Sequence, residues 1–396
     1  MVWSRAWLIG ALLASLCATE GWAEPYFAVR EGYKCGACHV NVTGGGKRTE
    51  FASTHARDIL KYPNWFEALT KPAESFNGDL YKPYVAIGAN LRSSVTAILQ
   101  EKGNDGKVDN STAFRGRLDE TDIDVTEAVG YLEVRLIPDL LTFYVDQRFS
   151  PSTTTREAWG LLRLPWHLYV KGGKMFLPYG LQLQDDTAFI RGGRNGSITT
   201  GFSFDQQQAA FEIGWDPERF STAVAVSEGA SGDNDVQITG TVYTLLTDLP
   251  FVRNLLLGGS ASRVGPPGIE TINFGFFTGF NLGPVTYLGE VDWRYDKDRN
   301  DGDPNTDDLQ GRFIHYSEAN YLLFDWLNVK LAVDFTDDDG VLSTRANDSE
   351  NRVSFGLEPF LAKFLQIRLF YRVSNGIATN PSHNQDLWIA EAHMFF

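Results

Sequence analysis

Val285-Thr286-Tyr287-Leu288-Gly289-Glu290-Val291-Asp292-Trp293-Arg294-Tyr295 alternates residue by residue. Val, Tyr, Gly, Val, Trp and Tyr fall on one face; Thr, Leu, Glu, Asp and Arg fall on the other. Side chains of a β-strand point to opposite sides in turn, so this period of two predicts a strand with one apolar and one polar face. The pattern recurs from about residue 83 to the C-terminus. Val329, Leu331, Val333 and Phe335 alternate with Lys330, Ala332 and Asp334. Leu365, Ile367, Leu369 and Tyr371 alternate with Gln366, Arg368, Phe370 and Arg372. Leu132, Val134 and Leu136 alternate with Glu133 and Arg135.

A water-soluble β-sandwich also alternates, and three features favour a membrane barrel over it. The strands run about ten residues, the length needed to cross a bilayer at a tilt, whereas globular strands are nearer ~5–6. Tight turns near 137–139, 164–166, 216–218, 247–250, 281–284, 325–326 and 362–363 alternate with long polar loops, including 101–122, 176–205, 296–310, 336–349 and 375–384. Short periplasmic turns and long extracellular loops are the outer-membrane pattern. The chain also closes on an alternating strand, Trp388 to Phe396, whose terminal Phe resembles the signal read by outer-membrane assembly machinery. The expected fold is all-β: a transmembrane antiparallel β-barrel of about 16 strands with both termini on the periplasmic side. Trp159, Trp166, Trp215, Trp293, Trp326 and Trp388 lie near strand ends and are expected in the interfacial aromatic belts. Glu133, Arg135, Asp146, Arg148, Lys171, Glu290, Asp292, Arg294, Asp334 and Arg368 are expected to line a polar lumen.

Residues 1–23 read as a cleaved signal peptide, with Arg5 in the n-region, an apolar stretch from Ala6 to Ala18, and a small-x-small site at Gly21-Trp22-Ala23. The apolar stretch is too short to span a bilayer. Leu16, before Cys17, is too large for lipoprotein processing. The expected organisation is therefore 1–23 signal peptide, 24–78 N-terminal segment and 79–396 barrel. With 50 acidic against 35 basic residues and a net charge of −15, the chain is not expected to bind nucleic acid. Of three cysteines, one lies in the leader, so no disulfide framework is available.

The other two cysteines carry chemistry. Cys35-Gly36-Ala37-Cys38-His39 is Cys-x-x-Cys-His, the attachment signature of c-type haem. Both thiols add to porphyrin vinyl groups, and His39, next in the chain, is placed as the proximal iron ligand. A redox dithiol would want a βαβ context, and a zinc site would want a second ligand pair; neither is present. Export to the compartment where c-type haem is assembled agrees with one covalent haem c. For the sixth ligand, His55 is the only candidate in the N-terminal segment, where Thr49 to Tyr62 reads as a short helix. A solvent-facing helix residue is the other reading of His55. Met175 and His393 share strand parity with lumen-facing residues, and His167, His315, His383 and Met394 complete the candidates. Gly44-Gly45-Gly46-Lys47-Arg48 lacks Walker spacing and reads as a surface loop, or as a wrap that brings Lys47 or Arg48 to the haem propionates. The acidic stretches 296–303 and 336–340 read as solvated loops.

With its leader, Glu24 to Arg30 before the haem motif, and a barrel after it, the chain resembles the fused outer-membrane monohaem cytochrome–porins of iron-oxidising bacteria. The match is specific at residues 25–39 and architectural over the rest; Val40 to Arg48 departs from the iron-oxidase pattern. The resemblance implies haem held by Cys35 and Cys38 and ligated by His39. It also implies an iron(II):cytochrome oxidoreductase role, with electrons passing between extracellular Fe(II), or another extracellular redox partner, and a periplasmic c-type cytochrome. Outer-membrane lipid surrounds such a barrel. A diffusive porin with a haem-bearing appendage and a peroxidase-like haem enzyme are the alternatives.

Overall fold

The computed structural model describes residues 25–52, 78–99, 118–183, 185, 187–192, 202, 207–229, 235–265, 270–297, 310–337, 349–362, 364–376 and 383–395. The signal-peptide reading of 1–23, His55 with its helix, and most of the two acidic loops lie outside the described residues.

A three-residue strand, β1 (Asp79–Tyr81), lies beside the first long strand. The long strands are β2 (Val85–Leu99), β3 (Leu118–Ile137), β4 (Leu141–Ser150), β5 (Thr154–Arg163), β6 (Leu168–Phe176), β7 (Gln207–Trp215), β8 (Phe220–Glu228) and β9 (Val236–Thr247). They continue as β10 (Asn254–Val264), β11 (Glu270–Leu282), β12 (Val285–Lys297), β13 (Gln310–Phe324), β14 (Leu327–Asp337), β15 (Ser349–Ala362), β16 (Leu365–Asn375) and β17 (Asp386–Phe395). Leaving β1 aside, each strand pairs antiparallel with its sequence neighbours, and β17 returns to β2, from Asp386 opposite Leu99 to Phe395 opposite Asn90. The sixteen strands β2–β17 thus form a closed barrel. Closure satisfies every backbone ladder without leaving an edge, the condition for crossing a bilayer with strands.

Short connections fall at all seven expected places, on the end of the barrel that holds the start of β2 and the end of β17. One boundary differs: β3 begins at Leu118, inside the expected loop 101–122, because Leu118 to Ile123 stay paired with Leu99 to Val95. Facing is as the alternation requires. Phe211, Phe276 and Phe355 are outward and about half exposed (57%, 62% and 49%), whereas Asp146, Lys171, Glu290, Asp292 and Asp334 are buried on the lumen side. This arrangement of apolar outside and charged inside is stable only where lipid surrounds the wall. Trp159 corrects the belt assignment. It shares the inward parity of Glu157 and Leu161, is buried, and stacks on Tyr144 at 4.7 Å between ring centroids.

A larger correction concerns the loop 176–205, expected to be polar and solvated. Its described residues turn into the lumen. Leu177, Tyr179, Leu181, Leu183, Phe189 and Ile190 are all buried. The loop crosses the interior in hydrogen-bonded steps: Gly180 N–H donates to Ser260 Oγ on β10 (2.8 Å), Leu181 N–H to Glu290 on β12 (2.9 Å) and Phe189 N–H to Asp334 on β14 (3.0 Å). Gly180 sits at φ +58°, where a Cβ would overlap Arg191 and Glu290. Arg191 in turn donates to Leu181 O (2.8 Å) and pairs with Glu290.

At its far end the loop is held by charge. Arg372 pairs with Asp185 and donates to Thr187 Oγ1 (2.7 Å), while Arg352 binds Asp334 at 2.9 Å and lies 3.9 Å from Asp185. Burial acts to raise the Asp185 pKa, but Arg372, Arg352 and the Thr187 hydrogen bond outweigh it and hold the carboxyl below the usual carboxylate range. A depressed carboxyl contributes stability that is present above its unfolded pKa and lost only as pH falls through the folded value. Loop closure should therefore be insensitive to pH from neutral down to mild acid. Asp185→Asn leaves Arg352 and Arg372 undercompensated and should cost about 3–5 kcal/mol of loop anchoring. The expected readout is faster protease cleavage within 177–206 while the barrel keeps its heat-modifiable gel mobility.

Candidate functional site

The site is assembled by the N-terminal segment inside the short-turn end of the barrel. Pro25 opens helix α1 (Pro25–Glu31), where its missing N–H costs nothing. Tyr26 and Val29, one turn apart, bury the same face against β10, β11 and β12. Gly32 ends the helix at φ +76°, and Tyr33 N–H donates back to Ala28 O (2.8 Å). The amide of Asn254 on β10 donates to the exposed carbonyls of Val29 (2.9 Å) and Arg30 (2.7 Å), capping the C-terminus from the wall. Lys34 then reaches into the β7–β8 turn, where its ammonium binds Asp216 Oδ1 (2.6 Å) and the carbonyls of Asp216, Pro217 and Phe220.

Lys34 immediately precedes α2 (Cys35–Cys38), a single turn. Three-residue spacing places both thiols on one face of that turn. His39 leaves it in extended conformation with its N–H bonded to Cys35 O (2.9 Å). From His39 the chain doubles back to Thr49, bonding Val40 N–H to Lys47 O (3.0 Å) and Thr49 N–H to Cys38 O (2.9 Å). The reversal uses three consecutive left-handed glycines, Gly44, Gly45 and Gly46, at φ +99°, +79° and +66°. This stretch is buried, so the surface-loop reading is replaced by the wrap. The wrap does not deliver its cations as expected: Lys47 turns to Glu133 on β3 (3.4 Å), Arg48 lies over the Phe395 ring (4.5 Å), and neither lines the cavity described below. The wall receives the wrap with aromatic rings. Val40 and Val42 pack among Tyr131, Tyr144, Trp159 and Tyr169; Lys171 donates to Asn41 Oδ1 (3.0 Å), and Lys47 N–H to the Tyr144 hydroxyl (3.0 Å).

Cys35, Cys38 and His39 open onto one cavity. On the segment side it is bounded by Val29, Tyr33, Gly44 and Gly45, and on the opposite side by Pro178 to Gln182 of the inner loop. Tyr243, Leu245, Leu256 and Phe277 of β9–β11 form its wall. The two thiols are not joined to each other. Burial pushes the Cys35 thiol up to about 11, and raises that of Cys38 against the nearby Arg48. Burial, then Arg48, pushes His39 down to about 4, so the imidazole is neutral. Its Nδ1–H donates to Gly46 O (3.3 Å), which leaves Nε2 as the free lone pair. A ring oriented through one nitrogen and open at the other is the arrangement that metal-ligating histidines use.

This donor set fits a c-type haem. Two reduced thiols and one neutral imidazole converge on a largely apolar space, and a Cβ at Gly45 would meet nothing within 4 Å there. Gly46→Ala tests the orientation of His39. The left-handed backbone would cost about 1–2 kcal/mol, and the added Cβ would run into the Tyr144 hydroxyl. If haem is bound, displacement of the Gly46 carbonyl should alter the visible spectrum of the purified protein, with barrel mobility unchanged.

The sixth-ligand candidates separate. Met175 and His393 point inward as their parity requires, but neither lines the cavity. Met175 packs among the aromatic wall residues, and His393 has both ring nitrogens engaged, with Gln366 and Asn90, each at 3.1 Å. His167, His315, His383 and Met394 do not line the cavity either. Among the described residues it holds no second histidine and no methionine, and His55 lies outside them. Sequence reasoning missed Lys34, Asn254 and the inner-loop boundary. A signal for the last was present: Leu177, Tyr179, Leu181 and Leu183, then Ala188 to Ile190, are too apolar for a solvated loop.

No protein-family model matches the chain, and no curated protein matches its sequence. Solved structures do resemble it. OmpT of Vibrio cholerae, in its trimer form, aligns with TM-score 0.58 at 11% identity over 79% of this chain and 99% of that one. The outer membrane channel DcaP of Acinetobacter baumannii aligns with TM-score 0.54 at 12% identity, covering 81% and 99%. The anion-selective porin from Comamonas acidovorans gives TM-score 0.54 at 12% identity, covering 79% and 99%. At these identities the likeness is one of fold. Together with closure and the inverted wall, it makes this chain a porin-like β-barrel of the bacterial outer membrane.

Proposed function

We propose that this barrel is an electron-transfer protein, carrying one haem c attached through Cys35 and Cys38 and ligated by His39. The observation that carries the reading is the meeting of all three side chains on a single cavity, with Nε2 of His39 free. A c-type haem supplies one-electron exchange between Fe(II) and Fe(III). The chain's own residues do the rest. Gly46 orients the imidazole, Lys34 and Asn254 fix the segment to the short-turn end, and Tyr243, Leu245, Leu256 and Phe277 give the cavity an apolar wall. A site at that end sits within reach of a periplasmic c-type cytochrome, and Fe(II) or another extracellular redox partner would stand on the side of the inner loop. Kinship with the fused cytochrome–porins is part of the same proposal.

A diffusive porin is the second reading, favoured by the likeness to channel proteins and by a strand number that leaves porins an aqueous lumen. The described interior is largely occupied by the N-terminal segment and the inner loop, which favours the first. Denaturing gel electrophoresis with haem staining, followed by spectroscopic titration with Fe(II) and with a periplasmic cytochrome, is the test. A stained full-length chain that is reduced by one partner and reoxidised by the other is expected. An unstained chain that conducts ions freely in planar bilayers would establish the porin.

A further inference from the structure

We infer that electron transfer through this barrel is coupled to a proton, which Asp292 takes up as the electron arrives. The inference rests on the haem reading above and adds a second exchanged particle and the residue that binds it. An electron from the external partner reduces Fe(III) to Fe(II), and one proton from water converts the Asp292 carboxylate to a carboxylic acid. Reoxidation returns both.

Asp292 is 2% exposed, on the lumen face of β12 two residues from Glu290. Arg191 of the inner loop is the cation nearest both carboxylates, and Glu290 engages it. Glu290 also accepts Leu181 N–H. Among the described residues, neither oxygen of Asp292 is in an ion pair or receives an aligned hydrogen bond; the Tyr179 hydroxyl is the polar group that faces it. The adjoining strands add no charge at this level, where Gly275 of β11 and Ile314 of β13 lie opposite Asp292. The next inward residue of β13, Tyr316, donates to Glu318 (2.6 Å). Toward the loop end, Arg294 stands opposite Arg312 and binds Asp296 (2.9 Å). Two carboxylates facing one guanidinium leave one negative charge in excess, buried where water screens little. Both are packed against backbone, Asp292 on Gly275 and Glu290 on Gly180, where an added Cβ would overlap them. A proton is the counter-charge that requires no further room.

Tyr179 joins this excess charge to the haem site. The Arg191 guanidinium lies over its ring at 5.9 Å, and the same ring lines the cavity with Cys35, Cys38 and His39. Both thiols are half-buried, so protons reach the cavity from the short-turn end. An electron placed in that cavity adds negative charge beside the uncompensated carboxylate, and a proton on Asp292 relieves the repulsion. Coupling between two bound species is reciprocal. The reduced protein therefore binds the proton more tightly, and reduction becomes harder as pH rises.

The test is a spectroscopic redox titration of the purified, haem-loaded full chain at a series of pH values. The wild-type midpoint potential should fall as pH rises through the window in which Asp292 titrates. Asp292→Asn, neutral at every pH, should abolish that fall and hold the potential at the wild type's acid-side value. Haem carboxylates titrate in both proteins, so the comparison removes their contribution. In weak buffer, reduction of the wild type should take up more protons per electron than reduction of the variant. Tyr179→Phe keeps the charge but removes the facing hydroxyl, and should shift the window along the pH axis. It decides the matter if Asp292→Asn does not reach the heat-modifiable form. Equal pH dependence in the wild type and Asp292→Asn overturns the inference, as does a flat wild-type profile. In the fallback case an unchanged window in Tyr179→Phe overturns it. A full-length chain without haem stain defeats the haem reading itself, an outcome distinct from haem without a coupled proton.

Discussion

The double variant Cys35→Ala/Cys38→Ala should lose all haem stain from the denatured full-length chain, and its electron transfer across proteoliposomes should fall to that of protein-free vesicles. The expected effect is complete because the two thioethers are the only covalent links the motif offers. His39 alone would have to hold a large hydrophobic cofactor through one coordinate bond. The barrel itself should survive. Cys35 and Cys38 contribute no strand pairing, and the anchors at Lys34, Asn41, Lys47 and Asn254 are made by other residues. Unchanged heat-modifiable mobility beside lost transfer would therefore separate the cofactor's role from the fold's. Equal transfer rates in the variant and the wild type would remove the electron-conduit reading altogether.

A second large effect is expected in planar bilayers. The intact protein should conduct poorly, and deletion of residues 25–52 should raise single-channel conductance severalfold. Sixteen strands enclose an aqueous channel when nothing fills them. Here helix α1 covers β10–β12, the glycine wrap covers the aromatic wall of β3–β6, and the inner loop crosses between them. Removing the segment exposes Asn254, Lys171 and Glu157 to water, which can satisfy them, so the barrel should tolerate the loss. Asp185→Asn, which releases only the inner loop, should produce a smaller rise and brief openings. A wild-type conductance as large as that of the deletion variant would mean that the segment does not obstruct the lumen.

Both expectations depend on what lies inside the barrel, and there the sequence and the tertiary structure divide the work. Alternation at Val285 to Tyr295 and its repeats identified the strands, their inward and outward faces and the seven tight turns. Those are consequences of backbone geometry within a few residues. Cys35 to His39 suggest the attachment chemistry proposed above for the same reason, since the spacing within one helical turn is local. Parity with Glu157 and Leu161 places Trp159 inside the barrel, although its nearness to a strand end points to the interfacial belt. The contents of the lumen were decided only by the closed fold. Lys34 meets Asp216 across 182 residues, and Leu181 meets Glu290 across 109. A pattern with period two records that Glu290 points inward, but not which chain segment arrives to meet it. That depends on the curvature that brings β6, β10, β12 and β14 around one interior. Once the wall is closed, buried carboxylates and arginines must find partners, and the inner loop and the haem-motif segment are the chain that supplies them.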